Sequence, residues 1–170
     1  DYYLMDAFWF EDHNPYIDFK RRTFPHGAAP VIEALEKEGM KYGLWFDLNC
    51  IYAELCGMEK YATLLKSKAL CFACNEIASL MTRAIAHQIR TLGVKMVKLD
   101  FAYFECMNPA HGHSTEHVES KEKSVANFIE MVRTLREIEP ELKFLCYNGW
   151  TTSLDWIGSV QQRSGYAISP

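Results

Sequence analysis

The sequence predicts an α/β fold on a parallel sheet, of the eight-stranded (β/α) barrel kind. Strands one to five and the start of a sixth fall within residues 1–170. Three observations carry this expectation. Apolar strand-like runs alternate with stretches of 3.6-residue periodicity, the order that gives parallel pairing. The loops after the first, second and fourth strands are longer and more polar than the turns that precede each strand, and a barrel keeps its working loops on that one side. No Gly-x-Gly-x-x-Gly follows the first strand, as a complete open doubly wound sheet, the alternative, would favour. A closed barrel needs roughly 200 residues or more. The 170 residues are therefore read as one partial barrel domain, cut at both ends, which starts inside a strand and continues beyond Pro170.

The elements follow in order. Tyr2 to Phe8 reads as the first strand. After a loop with Pro and His, a helix begins near Ala29, with Pro30 in its first turn and Gly39 as its stop. Lys41 to Phe46 is the second strand, and Ala69 to Ala73 a short third. Asn75 is placed to cap a long helix whose stripe is Ile77, Leu80, Met81, Ala84, Ile85, Ile89 and Leu92. Gly93 ends it, and the fourth strand runs through Val97 to Asp100. A helix capped near Ser120 sets Val125, Phe128, Ile129, Val132, Leu135 and Ile138 on one face. Pro140 stops that helix, Leu142 to Tyr147 is the fifth strand, and a sixth starts after Arg163.

Composition narrows the partners. The chain is 49% hydrophobic and 14% aromatic with a net charge of −4, without a basic block for a polyanion or an apolar run of membrane-spanning length. Nucleic acid and membrane are not expected partners. Six cysteines, several inside apolar runs, read as reduced thiols of a cytoplasmic protein.

The strand ends are the chemically loaded positions. An Asp that closes an apolar run, as Asp100 does, gains nothing from burial without partners; it reads either as a structural cap of the following loop or, at the carboxyl end of a parallel strand, as a group projecting into the crevice where α/β enzymes work. The first strand end offers Asp6 and Trp9, the second Trp45 and Asp47, the fourth Lys98 and Asp100, and the fifth Cys146, Asn148, Gly149 and Trp150. Carboxylates, an ammonium, an amide and indole rings in one crevice suit a carbohydrate, whose hydroxyls need acceptors and donors and whose apolar face packs on aromatic rings.

These residues fall in runs that resemble a known family. Leu4-Met-Asp-Ala-Phe-Trp-Phe10 is similar to the Val-Asp-Asp-Gly-Trp-Phe of the α-galactosidase clan of glycoside hydrolases. Gly39 to Asp47 resembles its Gly-x-Lys-Phe-Gly-Leu-Trp-Phe-Glu, and Val97 to Phe101 its Ile-Lys-Trp-Asp-Met. Cys146-Tyr-Asn-Gly149 resembles the Cys and Gly of the family-36 branch. Order and approximate spacing agree across nearly the whole chain. The resemblance implies a retaining glycosidase that acts on α-linked glycosides by double displacement, with no metal or cofactor. Asp100 would be the nucleophile. Lys98, on the same side of the strand, would favour its charged form and bind hydroxyls. Asp6, Trp9, Trp45, Asp47, Cys146, Asn148, Gly149 and Trp150 would contact the sugar. The chain departs from the motif at Ala7 and Phe8, where the clan has Asp and Gly, so the sugar is left open. The clan's acid/base Asp follows the sixth strand and is expected beyond residue 170. Asp155, the only late Asp, reads better as a helix start.

Two other patterns were weighed. His111, His113 and His117 with Glu116 form a metal-ligand set for a metal-dependent barrel hydrolase. The bland reading is a polar loop ahead of a helix. Cys71 and Cys74 have redox or zinc spacing, but without a second pair, strand packing is the better reading. A third possibility is a non-catalytic sugar-binding barrel. An open set of strands should also associate, and the full-length protein could be a homo-oligomer.

Overall fold

The computed structural model describes residues 1–12, 16–48, 58–64, 69–100, 102, 104–146 and 160–161. Its elements are β1 (Tyr2–Met5), α1 (Ala29–Lys37), β2 (Lys41–Asp47), α2 (Asn75–Leu92), β3 (Met96–Asp100), α3 (His117–Ile138), β4 (Lys143–Cys146) and the two-residue β5 (Val160–Gln161), with short 3-10 turns at Glu59–Tyr61 and Pro109–His111. The strands form one sheet in the order β1-β2-β3-β4-β5, every pair parallel. Each crossover therefore moves one strand onward in the same direction, and the carboxyl ends of all the strands lie on one edge. No helix among the described residues is long and apolar enough to cross a membrane.

The helices arise as their stripes require. Pro30 sits in the first turn of α1, where its missing N–H costs nothing. The residue after the α1 cap is Gly39 at φ 64°. On α2, Ile77, Met81, Ala84, Ile85 and Ile89 are buried, and Gly93 ends the helix in the left-handed conformation at φ 64°, open to glycine without a Cβ penalty. On α3, Phe128, Met131, Val132 and Leu135 are buried, and α3 lies beside α2. Two caps differ from expectation. Asn75 is the first helical residue rather than the cap, which is Cys74. Helix α3 starts about four residues early because the carboxylate of Glu116 accepts from the amides of Val118 (2.8 Å) and Glu119 (3.2 Å). Ser120 is buried inside the helix instead.

The largest correction concerns the third strand. Ala69 to Ala73 is fully buried but joins no sheet. Leu70 makes only an isolated antiparallel bridge to Ala62, and the chain turns at once into α2. The reason is that β2 and β3 pair directly, from Gly43↔Met96 to Asp47↔Asp100, which leaves no place between them. A short apolar run reads the same whether it is a strand or a buried connection. Asp100 thus closes the third strand of the sheet, Lys143–Cys146 is the fourth, and the fifth is Val160–Gln161, where no strand was expected. The sixth-strand start after Arg163 lies outside the described residues.

The core on the β1 side is aromatic. Trp9, Phe10, Tyr16 and Phe46 are buried and in ring contact: Trp9 to Phe46 at 5.7 Å and Phe10 to Tyr16 at 4.4 Å between centroids. They fold the loop after β1 back onto β2. Gln88 of α2 holds that loop by donating to the carbonyls of Tyr16 and Ile17, both at 2.8 Å.

Candidate functional site

The strand register gathers part of the expected constellation. Trp45 is level with Lys98 and Asp47 with Asp100, and paired residues of parallel strands point to the same face. Side-chain alternation puts all four on one face, with Asp6 just past the end of β1. Lys98 is the hub. Its Nζ lies 3.0 and 3.3 Å from the two carboxylate oxygens of Asp6 and 3.9 Å from Oδ2 of Asp100. The same Oδ2 accepts the indole N–H of Trp45 at 3.3 Å. Asp47 and Asp100 stand side by side on adjacent strands, an arrangement that like charges disfavour. The ammonium and the indole dipole supply the compensating field. Asp100 is only 5% exposed, whereas the Asp6 side chain is 63% exposed, so the site opens at Asp6.

Other expected site residues stand elsewhere. Trp9 and Trp45 are 0% and 2% exposed, so neither offers a ring face to a ligand. The Trp9 indole donates to the carbonyl of Trp45 at 2.8 Å, and both rings are core. Their expected stacking role is corrected to one of position: Trp9 holds the backbone of Trp45, and Trp45 holds Asp100. Asp47 is fully buried and has no open face for a hydroxyl. Cys146 is level with Leu99, one residue out of phase with Lys98 and Asp100, and so points to the opposite face, where it is buried. Asn148, Gly149 and Trp150 lie outside the described residues, as does Asp155. Phe8, at the motif position where the resembled family carries Gly, has φ 65° and is 56% exposed. Its backbone adopts the left-handed form that glycine favours, and its side chain is exposed.

The His loop resolves differently from its sequence reading. His117 opens α3 and faces Glu105, at 3.4 Å, apart from the other two. His111 and His113 instead meet two cysteines. The ligand atoms of Cys71, Cys106, His111 and His113 all lie within 4.8 Å of one another. Sγ of Cys71 is 3.0 Å from Nε2 of His113, and Sγ of Cys106 is 3.3 Å from Nδ1 of His111. A hydrogen bond from the Cys71 thiol, helped by the Asn108 amide and both imidazoles, pulls Cys106 down to about 5 against the opposing effect of burial. The same bond, with burial, pushes the Cys71 thiol up. Cys71 and Cys74 both pack in the buried core, as the packing reading expected, although outside any strand, and the Cys71 thiol also faces His113. No disulfide forms among the described cysteines.

A parallel sheet in sequential order defines a class of α/β fold, and solved structures share that fold. An alpha-galactosidase from Lactobacillus brevis superposes with a TM-score of 0.61 at 17% identity, over 86% of this chain and 22% of its own. The GH36 alpha-galactosidase AgaA of Geobacillus stearothermophilus, in complex with raffinose, gives 0.60 at 13% identity, over 85% and 23%. The galactosidase domain of the alpha-galactosidase-sucrose kinase AgaSK gives 0.60 at 15%, over 84% and 21%. The chain thus spans under a quarter of the length of these proteins, and at such identities the likeness is one of fold. No protein-family model and no curated protein matches the sequence.

Proposed function

We propose that the chain is part of the (β/α)8 catalytic domain of a retaining glycoside hydrolase for α-linked glycosides, with Asp100 as nucleophile. The observation that carries this reading is the Asp6-Lys98-Asp100 constellation at the strand ends, with Trp45 fixing one oxygen of Asp100. The shared fold with alpha-galactosidases supports it. In this reading the Asp100 carboxylate attacks the anomeric carbon to form a glycosyl ester. The leaving oxygen takes a proton from an acid supplied beyond residue 170, and water then hydrolyses the ester with retention. Lys98, beside Asp100, binds ring hydroxyls with Asp6 at the open side. In the full-length protein, Asp100→Asn is expected to cut turnover of an aryl α-glycoside to below a few per cent while the circular dichroism spectrum and Tm stay near wild type. Higher residual activity would remove Asp100 from the nucleophile role. A wild type that binds glycosides without turnover would reduce the site to a sugar-binding one.

A further inference from the structure

We propose that Cys71, Cys106, His111 and His113 form a structural zinc site that clasps the loop after β3 to the segment leading into α2. Four features support it. The donor set is two thiols and two imidazoles, the composition of closed tetrahedral zinc centres. The four ligand atoms are mutual neighbours within 4.8 Å. A tetrahedral ion with the usual bond lengths separates its ligands by roughly 3.3–3.8 Å, so a small inward shift completes the shell. Two separate thiol–imidazole hydrogen bonds would have no need to converge on a common point.

The second feature is orientation. Nδ1 of His113 lies 2.6 Å from the carbonyl of Ser114, and Nε2 of His111 lies 3.0 Å from the carbonyl of Lys60. A carbonyl only accepts, so Nδ1 of His113 carries the proton and its Nε2 turns a lone pair toward Cys71, while the other nitrogen of His111, Nδ1, faces Cys106. Asn108 Nδ2, 3.1 Å from Nε2 of His111, spends a proton on the carbonyl of Ala62. Imidazoles held by backbone carbonyls in this way are the usual outer support of a metal ligand.

The third feature is scaffolding that stands without the ion. Asn127 of α3 donates to the carbonyls of Phe72 (2.9 Å) and Ala73 (3.3 Å), which fixes the backbone beside Cys71. The amide of Asn108 donates to Sγ of Cys106 at 3.5 Å. The fourth is burial: Cys71 and Cys106 are 0% and 1% exposed. Four protein ligands leave no open position for a substrate or water, so the ion would be structural. It lies outside the Asp6-Lys98-Asp100 constellation and does not depend on the proposed hydrolase reaction.

The test is metal analysis of the reduced full-length protein purified with zinc supplied. One zinc per chain is expected, falling to below a tenth of that in Cys106→Ser and retained in His117→Ala. Replacement by cobalt(II) should give the intense visible bands of a tetrahedral ion with a thiolate charge-transfer band, a readout on the wild type that does not need any variant to fold. His113→Cys, which keeps a ligand at that position, should still bind zinc. Absence of both zinc and the cobalt spectrum, a Cys71–Cys106 disulfide in their place, or loss of zinc in His117→Ala would overturn the proposal.

Discussion

Asp100 depends on a neighbour that looks like core. The indole N–H of Trp45 is aimed at its Oδ2, and a hydrogen bond to a charged group is worth about 1.5–3 kcal/mol. Trp45→Phe keeps an aromatic ring and removes that donor. In the full-length protein, on the proposed hydrolase reading, kcat is expected to fall roughly 10-fold to 100-fold, at about 1.4 kcal/mol per decade, with KM nearly unmoved and Tm modestly lowered by the smaller ring. An unchanged kcat would leave Trp45 as packing alone. Lys98 and Asp100 were legible in the sequence because a two-residue period puts both on one face. The role of Trp45 was not, because a buried indole and a sugar platform have the same residue type and position. The partnership of Cys71 with His113 was also hidden. They stand 42 residues apart, and nothing local to either residue names the other.

At the scale of elements, β2 lies between β1 and β3, and Gly43 sits close against both. A Cβ there would lie 3.1 Å from Cδ1 of Leu4, 3.2 Å from Cβ of Met96 and 3.3 Å from the carbonyl of Tyr3. Gly→Ala normally stabilises a compatible site by restricting the unfolded chain, but here both neighbouring strands would have to give. Gly43→Ala is expected to cost about 1–3 kcal/mol, read as a lower midpoint in urea with the slope unchanged. A neutral or stabilising result would show that β1 and β3 have slack. The sequence predicted α1 and α2 nearly to the residue, since periodicity, Pro30, Gly39 and Gly93 all agree. It misplaced the run at Ala69 to Ala73 because burial on all sides erases the period that separates strand from connection. It missed the start of α3 because Glu116 is an uncommon cap.

At the scale of the whole molecule, the sheet is open. Among the described residues β1 pairs only with β2 and β5 only with β4, so β1 presents an edge of unpaired backbone groups, with Tyr3 and Phe8 exposed nearby. Such edges recruit further strands. The 19.7 kDa chain expressed alone is expected to elute from size exclusion as oligomers that grow with concentration. A monomer with a single cooperative melt would show that the edge is already protected.

Among the described residues every strand pairs only with its immediate predecessor and successor in sequence. Each pairing therefore closes a loop no longer than one crossover, and no strand waits for a distant partner. Loop-closure entropy grows with length, and remote pairings slow folding. A chain leaving the ribosome at roughly 5–20 residues per second can add each strand to the one before it as it emerges, so the order of synthesis is also a workable order of assembly.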